Sequence, residues 1–262
     1  MILIVLGGLG LPVLKNFWHY AVAVFHRRLG RRLAAPPRLT ANSRLVLLTT
    51  AALLFGGTVL IWCTEFAFSR APGHIAADST WFTALFHSVT ARTAGFNVTP
   101  VAGLLPATAA LMMFLMFVGG SPSSTAGGIK TSTLAVALLS LRRILFGRRD
   151  VEAFGRRLPE ELGDRALSIL VVAGGFITAL SVILCTLHPE LPPEDLVFEV
   201  VSAVGTVGLT RDITAKLGDP AKLLIAFAML VGRVGVLVFL SSFIRRRPVS
   251  ALRYPEANIV LS

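Results

Sequence analysis

Phe86-His87-Ser88-Val89-Thr90-Ala91-Arg92-Thr93-Ala94-Gly95-Phe96-Asn97 and Phe198-Glu199-Val200-Val201-Ser202-Ala203-Val204-Gly205-Thr206-Val207-Gly208-Leu209 carry one pattern twice. Each opens on Phe, runs through small and apolar residues, and ends in Thr-x-Gly followed by a large apolar side chain. With one residue inserted in the second copy, Thr93-Ala94-Gly95-Phe96 aligns with Thr206-Val207-Gly208-Leu209. A cation leaving water needs oxygens of comparable field strength, and inward-turned backbone carbonyls provide them. Glycine permits the backbone angles such a segment requires, and threonine adds a hydroxyl to its carbonyl. One Thr-x-Gly carries little information. Two in matching surroundings single out Thr93, Ala94, Gly95 and Phe96, with Thr206, Val207, Gly208 and Leu209, as paired cation-filter segments.

The surroundings do match. Upstream of the first copy, residues 45–63 are free of charge and make about 28 Å of helix; residues 166–187 form a similar run before the second. Both follow arginine-rich stretches, 27–44 and 142–165, and a third, 245–253, follows the last apolar run, 221–244. Lys and Arg favour cytoplasmic loops, so these stretches are read as inside and both spans as running outward. Between span and filter lies a helix too short to cross, 80–90 and 194–204. Asp78 or Ser79 can cap the first, and Pro192 or Pro193 with Glu194 and Asp195 can open the second. These half-helices enter the membrane and turn back, and their ends act on the local field at a cation. Span, half-helix, loop, span is thus used twice in one direction, a parallel repeat.

Residues 103–141 as one helix would be about 58 Å long, nearly twice the hydrocarbon thickness. Gly119-Gly120-Ser121-Pro122-Ser123-Ser124-Thr125-Ala126-Gly127-Gly128 interrupts them. Irregular backbone at membrane depth survives only where it lines water or is buried in protein, so this loop is expected in or under a pore. Arg233 lies in the middle of the last apolar run, where a charge turns toward protein or water. It faces a pore or serves as a staple to a carbonyl or an acid of another unit. The opening 1–24 is apolar but broken by Gly7, Gly8, Gly10 and Pro12; it reads as the tail of something longer and not as a cleavable signal peptide.

Composition agrees. Hydrophobic residues make up 54%, charged residues 15%, and mean hydropathy is +0.74, whereas a soluble domain carries about 25% charged residues. Secreted enzymes, disordered tails and free-standing nucleic-acid binders are excluded. The net charge of +11 is a topology and lipid-headgroup signal, because the arginines gather at span ends. Cys63 and Cys185 are read as packing residues. The loop at 119–131 departs from a phosphate loop because Ile129 separates Gly128 from Lys130. His87 is read as a hydrogen-bonded structural residue, and the histidines share no metal-ligand spacing with carboxylates, so an enzyme is not expected.

Phe86 through Asn97, Met116-Phe117-Val118-Gly119-Gly120-Ser121-Pro122 through Gly127-Gly128-Ile129-Lys130-Thr131, Ser202 through Leu209, and Val231-Gly232-Arg233-Val234-Gly235 together resemble the Trk/Ktr/HKT potassium transporters, nearest to the bacterial KtrB type. The likeness covers the third and fourth of that family's four span-pore-span units, and Leu6-Gly7-Gly8-Leu9-Gly10-Leu11-Pro12-Val13 resembles the end of the second. The first unit and the second unit's filter are thus expected to be missing.

The resemblance implies an all-α transmembrane fold of tandem span, pore-helix, filter-loop and span repeats, forming an incomplete potassium-channel-like pore. Residues 1–25 are then a remnant inner helix, 26–44 a basic cytoplasmic loop, and 45–147 the third unit with a gate loop at 119–131. Residues 148–165 are a basic cytoplasmic linker, 166–247 the fourth unit, and 248–262 a cytoplasmic tail. The implied function is K+ uptake across the plasma membrane. The gate is formed by Ser121, Pro122, Ser123, Ser124, Thr125, Ala126, Gly127, Gly128 and Lys130, with Arg233 facing the pore. No cofactor is implied, only K+ as cargo and Na+ as a second transported or coupling ion. The implied partners are the missing N-terminal units of the same protein, a second copy in a homodimer, membrane lipid, and a cytosolic nucleotide-binding regulatory subunit of the KtrA or TrkA type, with no nucleic acid. A non-conducting truncated or structural membrane subunit stays open beside this reading, since half a filter encloses no ion path.

Overall fold

The computed structural model describes residues 1–29, 38–68, 81–147 and 150–242. Two helices set its frame, α3 (Ala41–Phe68) and α7 (Glu160–Leu187), both long and apolar enough to cross a membrane. Each extends further at its N-terminal end than the charge-free runs 45–63 and 166–187, because polar residues there continue the helix. Thr40 Oγ1 accepts the Ser43 N–H at 3.2 Å and so satisfies one open donor at the start of α3. Glu160 and Glu161 occupy the first turn of α7, where the helix dipole favours negative charge.

The remaining described helices are α1 (Ile2–Leu9), α2 (Leu11–Arg28), α4 (Trp81–Thr90), α5 (Pro106–Phe117), α6 (Thr131–Leu145), α8 (Pro193–Gly205), α9 (Asp219–Val234) and α10 (Val236–Ser242). The half-helices of the sequence reading correspond to α4 and α8, and the long segment 103–141 is divided into α5 and α6 around an irregular loop.

Three expectations need correction. The apolar opening is not one interrupted helix but two, α1 and α2, at 105°; the chain turns at Gly10, whose φ of 74° is open to glycine. The last apolar run, 221–244, is likewise not a single helix: α9 ends at Val234 and α10 leaves at 95°, with Gly235 at φ 98°. The stretch 148–165 is more than a linker. It holds strands β1 (Val151–Ala153) and β2 (Arg156–Leu158), paired antiparallel with Val151 opposite Leu158, followed by the first turn of α7. Phe154 (φ 54°) and Gly155 (φ 71°) both have positive φ, as a two-residue type I′ turn demands. Val151 and Ala153 are buried where the hairpin meets α6. Asp78, Ser79, Thr80, Arg245 and the tail 248–262 lie outside the described residues, as do 30–37 and 148–149 of the basic stretches.

The core is built around α8, which packs against α5, α7 and α9. Leu196 and Phe198 of α8, Met112 and Met116 of α5, Leu184 of α7 and Val231 of α9 are all inaccessible and share one apolar cluster. Large apolar side chains on the outer faces, among them Leu48, Phe55, Val171 and Leu223, remain exposed, as a surface meeting lipid or other helices allows.

Candidate ion-conduction site

The two predicted filter segments leave α4 and α8 by the same backbone route. At the end of α8 the N–H groups of Thr206 and Val207 bond the carbonyls of Ala203 and Ser202, both at 2.9 Å. At the end of α4 the N–H groups of Ala94 and Gly95 both reach the carbonyl of Thr90, at 3.1 and 3.4 Å. Thr93 (φ 65°) and Thr206 (φ 53°) are left-handed, and so are Gly95 (φ 71°) and Gly208 (φ 88°), whereas Ala94 and Val207 are not. Positive φ at alternate residues departs from the pleat of an ordinary extended strand. For a β-branched residue a positive φ is a genuine outlier costing about 1–3 kcal/mol, and such strain gathers at functional sites.

The segments face each other. A Cβ on Gly95 would collide with the Val207 carbonyl oxygen and would lie 3.4 Å from that carbonyl's carbon and 3.5 Å from the Cα of Gly208. Val207 and Leu209 bury their side chains while Gly208 is exposed. The first segment differs here, since Phe96 is 63% exposed where Leu209 is 1%.

The irregular loop lies against the second segment. Its neck is closed by a parallel bridge between Val118 and Ile129, with Gly119 N–H donating to the Ile129 carbonyl at 2.9 Å and Thr131 N–H to that of Gly120 at 3.0 Å. At its far end a Cβ on Gly127 would meet Thr206 Cγ2 at 2.9 Å and Cβ at 3.0 Å. Ser121 fixes one limb to α1: its N–H donates to the Gly8 carbonyl at 2.8 Å and its hydroxyl to that of Leu9.

Three cations hold the loop's carbonyls. Lys130 Nζ donates to Ala126 at 2.6 Å, Arg92 Nη2 to Gly119 at 3.2 Å, and Arg233 Nη1 to Thr125. Of the two roles open to Arg233, its partner is thus a carbonyl, although the side chain is also exposed. Pro122, Ser123, Ser124 and Gly128 complete the loop; Ser124 Oγ accepts the Ala126 N–H at 3.3 Å. Behind it lies a cavity of about 210 Å³ lined by Gly128, Lys130, Gly205 and the break at Gly235. Arg92 was not among the sequence-derived site residues; its place between half-helix and filter was the available signal.

The family model described as TrkH, cation transport protein, matches residues 1–252. The chain belongs to the TrkH family. Among its relatives, the Ktr system potassium uptake protein B of Vibrio alginolyticus is 32% identical over 98% of this chain and 54% of that protein. The potassium/sodium uptake protein NtpJ of Enterococcus hirae is 34% identical over 99% of this chain and 55% of that protein. The crystal structure of the potassium transporter TrkH from Vibrio parahaemolyticus has the same fold at a TM-score of 0.67 and 19% identity, covering 93% of this chain and 50% of that one. The TrkH-family chain described here therefore spans about half the length of the curated relatives it matches.

Proposed function

We propose that this TrkH-family chain forms part of a pore for K+ uptake across the plasma membrane, with Thr93 to Phe96 and Thr206 to Leu209 as filter segments and the loop 119–131 as a gate beneath them. The observation that carries the reading is the shared backbone: threonine and glycine at positive φ on either side of a residue that is not, twice, with Gly95 set against the Val207 carbonyl. A backbone of this form presents carbonyl oxygens to a cation without any charged side chain. The relatives named for potassium and for potassium/sodium uptake support K+ as cargo and Na+ as a second transported or coupling ion.

Two segments bound an ion on part of its circumference. Further span-pore-span units, in the same protein or in a second copy, complete the ring. Within the proposal the basic loops face the cytoplasm, where a nucleotide-binding subunit of the KtrA or TrkA type docks. Uptake assays on the assembled transporter in a potassium-uptake-deficient strain test the filter: Gly208→Ser and Gly95→Ser should each lower K+ preference over Na+, because a side chain at a positive φ distorts the carbonyl array. Unchanged selectivity in both overturns the assignment.

A further inference from the structure

Both half-helices carry a buried polar side chain at the same place, one residue after the Phe that opens each repeat. His87 on α4 is 2% exposed and Glu199 on α8 is 5% exposed. Burying a polar group this deeply is costly unless it is hydrogen-bonded; His87 Nδ1 has no partner among the described residues, so the ring is held through Nε2 alone. The chemistry of the two differs, yet both reach the same kind of target: threonine hydroxyls on the stretch of chain that follows the proposed filter segment. His87 Nε2 is hydrogen-bonded to Thr99 Oγ1 at 2.8 Å. Glu199 Oε1 accepts the hydroxyl of Thr214 at 2.8 Å and that of Thr210, the residue directly after Leu209. Thr210 Oγ1 in turn accepts the Asp212 N–H at 3.1 Å. Each filter segment is thus pinned at both ends to its own half-helix, by helix-end backbone bonds before it and by a buried side chain after it.

We infer that His87 and Glu199 are positioning residues of the two filter segments, setting carbonyl geometry from behind without touching the ion. The inference rests on the filter assignment proposed above and adds the groups that hold it in shape. A carbonyl array discriminates between cations by the number and stiffness of its oxygens, and the left-handed threonines store strain that relaxes unless the surroundings over-determine them. Two hydroxyls on one carboxylate oxygen, with bonds stronger than neutral pairs, provide that constraint.

The test uses the assembled transporter, with Na+ competition against Rb+ uptake as readout and thermal stability measured beside it. Glu199→Ala should lower K+ preference over Na+ by about tenfold, the equivalent of one charge-assisted hydrogen bond. The nearly isosteric pair Thr210→Val with Thr214→Val should do the same, combining it with Glu199→Ala should add nothing, and Glu199→Gln should restore most of the preference. His87→Ala and Thr99→Val should behave as a second such pair. If Glu199→Ala fails to assemble, the threonine variants decide. Unchanged selectivity in the threonine variants, with Gly208→Ser lowering it, overturns the positioning role and leaves the filter intact. Unchanged selectivity in Gly208→Ser as well overturns the filter and this inference together.

Discussion

Gly127 in the irregular loop lies directly against the side chain of Thr206, the first residue of the second proposed filter segment, so that a methyl on Gly127 would approach Thr206 Cγ2 to 2.9 Å. Loop and filter segment therefore cannot move independently at this point. Gly127→Ala forces one of them to yield, and overpacking of this kind costs about 1–3 kcal/mol. We expect a lower melting temperature in detergent together with reduced K+ flux in vesicles; an unchanged flux would show that the contact is slack.

Removing the loop's outer part should act in the opposite direction. With residues 121–126 deleted, the carbonyls held by Arg233 and Lys130 are gone, and the obstruction proposed beneath the filter goes with them. K+ flux through the assembled transporter should rise and lose its regulation. A deletion that assembles yet conducts no faster would make the loop a hinge or filler.

The turn between α7 and α8 offers a pH prediction. Gly218 N–H donates to His188 Nε2 at 3.1 Å, so Nδ1 carries the proton that bonds Glu190 Oε1 at 2.7 Å. This bond from His188 is the main cause holding the Glu190 carboxyl below its ordinary value of 4.5. A carboxyl depressed on folding stabilises the fold above its unfolded pKa, and the contribution fades as pH falls through the lower folded value. Parent and Glu190→Gln should therefore differ in melting temperature at pH 7 and converge as pH drops below 4.5. A constant difference at all pH values would remove the His188–Glu190 hydrogen bond from the account.

This chain purified by itself and reconstituted in liposomes should show no selective K+ flux, because an ion stripped of water on one side only is poorly compensated. Selective flux would show that two copies close the ring.

Much of this architecture was legible in the residues. Gly119 to Gly128 could not continue a helix, and the short runs before Thr93 and Thr206 were too brief to cross, so α4, α8 and the break between α5 and α6 followed from length and glycine content alone. The left-handed backbone at Thr93 and Thr206 did not follow, since β-branched residues disfavour it and only tertiary packing overrides that preference. Gly235 went unread as a break because apolar residues continue on both sides, whereas Pro12 accompanies the glycines around Gly10. Arg92 escaped notice because its partner is the Gly119 carbonyl, remote in sequence. The hairpin at 151–158 was hidden by the basic composition around it, although Phe154-Gly155 carried the turn signal.

The bridge between Val118 and Ile129 has a consequence for how such proteins diversify. Because the ends of the loop are tied to each other, residues can be gained or lost between them without shifting the register of α5 or α6. Doubling a closed loop's length costs only about 0.6 kcal/mol. Loop length can therefore change at little entropic cost while α5 and α6 keep their places, provided the anchored residues Ser121, Thr125 and Ala126 keep theirs.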